Sequence, residues 1–183
     1  MKYIDRLVEK QLTHQVSRGK SVLLLGARQT GKSTLVDRLQ ADLSISLVPA
    51  AVRQRYERSP SILSGEISGL AKKLRRRPLV VLDEVQKVPE LMDELQELID
   101  KKTAQFVLTG SSARKLKKSG VVNLLPGRLV NMRLDPFIHE EASYDDILKH
   151  IFYGSLPGIF VVQNAQDKEV DLKSYVESYL EEE

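Results

Sequence analysis

The chain has 183 residues, 42% hydrophobic and 29% charged, with a net charge of +3 and no cysteine. That length suits one domain, or one domain and the start of another; the lack of cysteine removes disulfides, thiolate catalysis and cysteine metal sites together, and so small a positive charge permits nucleic-acid contact without arguing for it. No apolar run is long enough to span a bilayer and the start, MKYIDRLVEK, lacks the apolar centre of a signal peptide, so a cytoplasmic protein without membrane insertion is expected.

Tyr3, Ile4, Leu7, Val8 and Leu12 recur at helical spacing, which predicts an amphipathic helix over residues 1–17, ended by Ser17, Arg18 and Gly19. Val22 to Leu25 is a short continuous apolar run, the pattern of a strand covered on both faces. The next nine residues, GARQTGKST, fit G-x-x-x-x-G-K-[ST] at Gly26, Gly31, Lys32 and Ser33. Glycines let backbone N–H groups turn towards a phosphate, a lysine neutralises its charge, and a hydroxyl can ligate Mg²⁺. Gly26, Ala27, Arg28, Gln29, Thr30, Gly31, Lys32, Ser33 and Thr34 are therefore the candidate triphosphate cradle, set on a helix N-terminus. A glycine-rich structural turn is the competing account, and the strand before and helix after weigh against it. That helix is predicted over Lys32 to Ala41, with Leu35, Val36 and Leu39 facing the core.

Ile45 to Val48 is the next strand candidate. PAAVRQRYERSPSILSGEISG, which follows, shows no clear period. Leu70 to Leu74 reads as a helix end carrying Lys72, Lys73, Arg75, Arg76 and Arg77, a cluster that either is a solvated helix end or touches nucleic acid or a membrane. It lacks interleaved aromatic residues for base stacking. After Pro78, the run Leu79 to Leu82 predicts a second buried strand leading into Asp83 and Glu84. Pro89 opens a helix with Leu91, Met92, Leu95, Leu98 and Ile99 on one face. Phe106 to Leu108 predicts a further strand ending in Thr109, Gly110, Ser111 and Ser112, followed by a second basic cluster of Arg114, Lys115, Lys117 and Lys118. Leu129 to Leu134 reads as the last strand, closed by Pro136. Short apolar strands separated by helices, without tight hairpin signals, predict an α/β fold with a parallel sheet. The polar sets follow the C-terminal ends of strands, where such sheets place ligands.

A phosphate loop alone does not distinguish a kinase, a GTPase and an ATPase. In LVVLDEVQ, an aspartate at the end of a buried strand can hold the Mg²⁺ already ligated by Ser33, and the adjacent Glu84 is suited to orienting an attacking water. Capping of the helix behind them is the alternative use of Asp83 and Glu84. No [NT]-K-x-D pattern reads guanine, which favours ATP over GTP.

GARQTGKST, LVVLDEVQKVPEL, FVLTGSSARKL and LPGRLVNMRLDPFIHEEA, in that order, resemble the AAA+ superfamily of ATPases. They are most similar to the archaeal and bacterial group marked by DEVQK.PEL and an LTGSS strand end, and the likeness extends to the opening helix and to GSLPG at Gly154 to Gly158. The resemblance implies a three-layer P-loop fold of about five parallel strands in the order 5-1-4-3-2, helices on both faces. Residues 1–140 would form the ATPase core and 141–183 the start of a helical lid, or a linker to a C-terminal domain that lies outside this chain. Carried over by motif, Lys32 contacts the β- and γ-phosphates, Ser33 and Asp83 hold Mg²⁺, and Glu84 is the catalytic glutamate. Thr109 and Ser111 are the two candidates for a γ-phosphate sensor, with Ser111 preferred. Arg128 in PGR resembles the arginine that reaches a nucleotide, often a neighbour's; the alternative is an arginine ordering its own loop. ATP, other copies of the chain, and DNA or a protein are the partners this leaves open.

Leu172, Tyr175, Val176, Tyr179 and Leu180 form an apolar helical stripe that needs a cover, from a following domain or a subunit contact. His14, His139 and His150 show no metal-ligand spacing, and G-x-S-x-G is absent, so neither a zinc or iron site nor a serine nucleophile is assigned. Phe152 and Tyr153 read as packing residues of a lid. The expected activity is Mg²⁺-dependent ATP hydrolysis that moves an attached or partner domain. A nucleotide-dependent switch that docks DNA with little turnover is the second reading. A small-molecule kinase is the third, and it lacks a recognisable acceptor site.

Overall fold

The computed structural model describes residues 3–111, 127–142 and 147–182. The apolar runs form five strands: β1 Ser21–Leu25, β2 Leu43–Ser46, β3 Leu79–Asp83, β4 Gln105–Gly110 and β5 Leu129–Arg133. All pairings are parallel, in the order β2-β3-β4-β1-β5, which read from the other edge is the expected 5-1-4-3-2. The three central strands are buried along almost their whole length, as continuous apolar runs require. Edge strand β2 instead alternates half-buried Leu43 and Ile45 with exposed Ser44 and Ser46.

Because side chains alternate across a strand, each central strand feeds two cores. Leu23, Leu82, Phe106 and Leu108 pack against α3 (Ala50–Arg58), α4 (Ser61–Leu74) and α5 (Met92–Asp100), which contribute Tyr56, Leu63, Ile67 and Leu95. On the opposite face Val22, Leu24, Val81 and Val107 meet Leu12 of α1 (Leu7–Ser17) and Leu35 and Val36 of α2 (Lys32–Asp37). The result is a three-layer α/β domain whose strand C-termini share one rim.

Several boundaries differ from the sequence expectation. Helix α1 begins at Leu7, not at residue 1, because Arg6 is extended and its guanidinium is drawn into buried contacts described below. Helix α2 ends at Asp37, short of Ala41: Arg38 and Leu39 donate to Leu35 and Val36 carbonyls three residues back, tightening the last turn. Strand β2 lies two residues before Ile45–Val48. Leu47 N–H already bonds Asp83 O at 3.0 Å, and Val48 is exposed where the chain turns into α3. The stretch without a clear period folds as two helices broken at Ser59–Pro60. Only Tyr56 of α3 is buried, too little apolar surface to show a periodicity.

The first basic cluster is a helix end. Arg76 forks onto Asp42 at 2.9 and 2.5 Å, Arg77 donates to Gly19 O at 3.1 Å, and Lys72, Lys73 and Arg75 face solvent. The second cluster, Arg114 to Lys118, lies outside the described residues. After β5 come α6 (Ile147–Tyr153), α7 (Pro157–Phe160) and α8 (Ala165–Glu182). Phe160 meets Phe137 edge-on at 5.5 Å. The α8 stripe is partly covered: Tyr175 and Tyr179 stack at 5.7 Å, and Tyr175 Oη donates to Arg28 O at 3.3 Å. Val176 stays exposed, as does Phe152 of α6, while Tyr153 is half-buried. No helix among the described residues is long and apolar enough to cross a membrane.

Asp42 fastens the edge, since it accepts from Leu79 N–H at 2.8 Å as well as from Arg76. Burial alone would raise its pKa, but the hydrogen bonds from Arg76 and Leu79 outweigh it and hold the carboxyl below the ordinary 3.8. A depressed folded-state value stabilises above the unfolded pKa and loses that stability as pH falls through the folded one. Asp42→Asn is therefore expected to be less stable than the parent at neutral pH. The difference should narrow in urea titrations as the pH falls below the ordinary carboxylate range and through the depressed folded value of Asp42.

Candidate functional site

The loop after β1 is shaped by two glycines. Gly26 N–H bonds Gly110 O at 3.3 Å, and a Cβ on Gly26 would stand 2.2 Å from Leu134 O, so a side chain would push β1 and β5 apart. Gly31 has φ +92°, which favours glycine, and the turn also places Gln29 at φ +61°. Buried Thr30 donates to Ala27 O at 2.9 Å and closes the loop on itself. Lys32 folds back under it, its Nζ 2.9 Å from Gly26 O, 2.8 Å from Ala27 O and 4.0 Å from Glu84 Oε1. Burial pushes this ammonium below the usual lysine range, while Glu84 and Asp83 hold it up. Ser33 and Thr34 follow on the exposed side.

Strands β3 and β4 deliver the acids and hydroxyls beside that loop. Asp83 is buried and accepts from Ser33 Oγ at 2.9 Å on one oxygen and from Thr109 Oγ1 on the other. Thr109 Oγ1 also accepts Glu84 N–H at 3.0 Å. Glu84 leaves the strand in the left-handed region (φ 60°, ψ 48°), unusual for a non-glycine residue. Its Oε2 accepts from Ser111 Oγ at 2.9 Å and from the Gln86 amide. The two hydroxyls are thus divided: Thr109 holds Asp83, and Ser111 holds Glu84.

Arg128 is not brought to this cluster. It precedes Leu129, which is level with Ser21 at the start of β1, so the length of β1, on the order of 13 Å, separates it from the loop. There it forks onto Asp100 at 2.7 and 2.9 Å. In its own chain it sits on the opposite rim of the sheet.

Sequence reasoning missed the cleft's other wall. Arg6 is buried and donates to Thr30 O at 2.7 Å, to Asp135 O at 2.5 Å and to Glu141 at 3.0 Å, with its guanidinium 4.8 Å from the centre of the Phe137 ring. Glu141 also accepts Leu7 N–H at 2.8 Å. These contacts draw the N-terminal segment, the phosphate-type loop and the segment after β5 around a cleft of about 580 Å³. Tyr3, Ile4, Phe137 and Pro157 line it together with Lys32, Ser33 and Glu84. The partners of Arg6 lie up to 135 residues away, and no local pattern marks them.

A family model described as "AAA domain" matches residues 18–143. Two uncharacterised proteins, of Mycobacterium bovis and Mycobacterium tuberculosis, are each 26% identical over 176 residues, which cover 93% of this chain and 37% of each relative. The chain thus spans little more than a third of the length of the curated relatives it matches. Among solved structures, the Aeropyrum pernix ORC1 protein in complex with DNA is similar with a TM-score of 0.50 and 15% identity, over 76% of this chain and 47% of that one. That likeness is one of fold.

Removing one partner of a buried pair strands the other charge. Arg6→Met leaves the Glu141 side chain, 5% exposed, without its cationic partner, and is expected to cost about 3–5 kcal/mol in urea unfolding. Adding Glu141→Gln should recover part of the loss. Equal losses in the single and double variants would refute the pair's role.

Proposed function

This chain belongs to the AAA domain family, and on that footing we propose that it binds ATP with Mg²⁺, hydrolyses it, and uses the cycle to move an attached or partner domain. The observation that carries the proposal is the convergence of Lys32, Ser33, Asp83, Thr109, Glu84 and Ser111, through hydrogen bonds and the Lys32–Glu84 ion pair, at the C-terminal ends of β1, β3 and β4.

The residues fit the groups they are assigned. Lys32 is a buried cation satisfied by carbonyls of its own loop, and it would exchange them for the β- and γ-phosphates. Ser33 Oγ and Asp83 offer hard oxygen donors side by side, as Mg²⁺ prefers. The ion, when bound, would neutralise charge developing on the phosphates. Thr109 fixes the Asp83 carboxylate from behind, the kind of support that orients a metal ligand. Glu84 would accept a hydrogen bond from the attacking water and orient it, and Ser111, which touches Glu84, would sense the γ-phosphate. Tyr3, Ile4, Phe137 and Pro157 give the cleft an apolar wall suited to a nucleobase. Residues 1–140 would be the catalytic core and 141–183 the lid. Any contact of Arg128 with nucleotide would be with that held by another copy of the chain, because its own loop is on the far rim.

Lys32→Ala is expected to abolish ATP binding in a fluorescent-nucleotide titration. Glu84→Gln should bind normally and release phosphate slower by about 10²–10⁴-fold; full turnover would refute the role given to Glu84. Thr109→Val should weaken the Mg²⁺-dependent part of ATP affinity by about 10–100-fold and leave Mg²⁺-free binding unchanged.

A further inference from the structure

We infer that Gln86 is the positioning residue for Glu84: its amide keeps that carboxylate oriented when the other groups touching it turn to phosphate. The inference rests on the reading of Glu84 as the hydrolytic carboxylate. Glu84, Ser111 and Gln86 form a closed cycle. Gln86 Nε2 donates to Glu84 Oε2 and, at 3.0 Å, to Ser111 Oγ, and Ser111 Oγ donates to Glu84 Oε2 at 2.9 Å. The orientation of the amide is dictated by its neighbours. An ionised carboxylate only accepts, and a hydroxyl already donating to it has only lone pairs left to offer. Both therefore require the NH₂ end of Gln86. Turned the other way, Gln86 Oε1 would face the lone pairs of Glu84.

The Gln86 Oε1 is buried without a hydrogen-bond partner among the described residues. Glu84 meanwhile takes a left-handed backbone conformation.

Among the described residues, three groups hold the Glu84 carboxylate. Lys32 Nζ is 4.0 Å from Oε1, while Ser111 and Gln86 share Oε2. Lys32 and Ser111 are the two groups proposed above to turn to the phosphates, and Gln86 is the one with no such second task. It is also rigidly mounted, in the 3₁₀ turn Val85–Lys87, whose Val85 and the following Val88 are core residues. When Lys32 and Ser111 engage nucleotide, Gln86 continues to fix Oε2 and leaves Oε1 for the attacking water.

The test measures single-turnover ATP cleavage and, separately, ATP Kd by fluorescent-nucleotide titration, with Glu84→Gln run in parallel. Gln86→Leu is expected to slow cleavage about 10–100-fold, the size of effect that misplacing a reacting group produces, with Kd within about twofold of the parent. Gln86→Glu keeps the shape, removes the donor and sets a like charge beside Glu84, so it should lose at least as much. It also answers the question if the leucine variant does not fold. Gln86→His, which returns an N–H donor, should recover part of the rate. Cleavage at the parental rate in the leucine and glutamate variants, with Glu84→Gln inactive, would overturn the inference and leave the ATPase reading standing. So would a Kd that rises in proportion to the lost rate, which would make Gln86 a binding or structural residue. Parental cleavage by Glu84→Gln would instead sink the underlying reading.

Discussion

The hydrogen bond from Thr109 to Asp83 depends on strand register, and the rest of the site depends on that bond. Leu82 is level with Leu108 and Leu24 with Thr109, so one step beyond Leu82 sets Asp83 beside Thr109 and beside the end of β1. A slip of one residue would bring Leu108 or Gly110 opposite Asp83 and turn the apolar set of the strand to the wrong face. The two cores make such a slip costly. Phe106 and Leu108 are fixed in one, Val107 in the other, and all three are fully buried. Hydrophobic packing of the central strands thus sets the position of a polar side chain at their end to within hydrogen-bonding precision.

A sheet edge of this kind offers a rim, not a cleft. The walls come from segments distant in sequence, and Arg6 gathers them. Its guanidinium suits the task because it is planar, carries several donors and can satisfy two carbonyls and a carboxylate at once. The Phe137 ring packs against it, 4.8 Å from the guanidinium. Burying a pair such as Arg6 with Glu141 gives little net stability. What it secures is geometry, because the pair and its backbone partners tie Leu7, Thr30 and Asp135 to one another.

The sheet was legible in the sequence because its strands are continuous apolar runs and its ligands are short motifs at their ends. GARQTGKST and the pair Asp83–Glu84 needed no tertiary information to stand out. Helices α3 and α4 did not stand out, since one buries only Tyr56 and the other, fourteen residues long, fully buries only Leu63 and Ile67. The placement of Arg128 on the opposite rim follows from a register that a single sequence does not display. Arg6 and Gln86 escaped notice for a common reason. Each is an ordinary polar residue whose significance lies in which distant atoms it meets, Thr30 O, Asp135 O and Glu141 for one, Ser111 for the other. Local pattern carries propensity and periodicity; it does not carry such contacts.

The loop itself shows why those distant donors are needed. A backbone that turns N–H groups towards an anion must find donors for its carbonyls elsewhere, because a buried carbonyl without one is costly. Here Gly26 O and Ala27 O take the Lys32 ammonium, and Ala27 O also takes the Thr30 hydroxyl. Gly31 O takes Leu35 N–H of α2 at 2.9 Å. Two more carbonyls take donors from distant segments: Thr30 O from Arg6 before α1, and Arg28 O from Tyr175 on α8. The phosphate-type loop is therefore held from behind by both terminal segments, and a shift of either one changes the backbone from which the cradle is made.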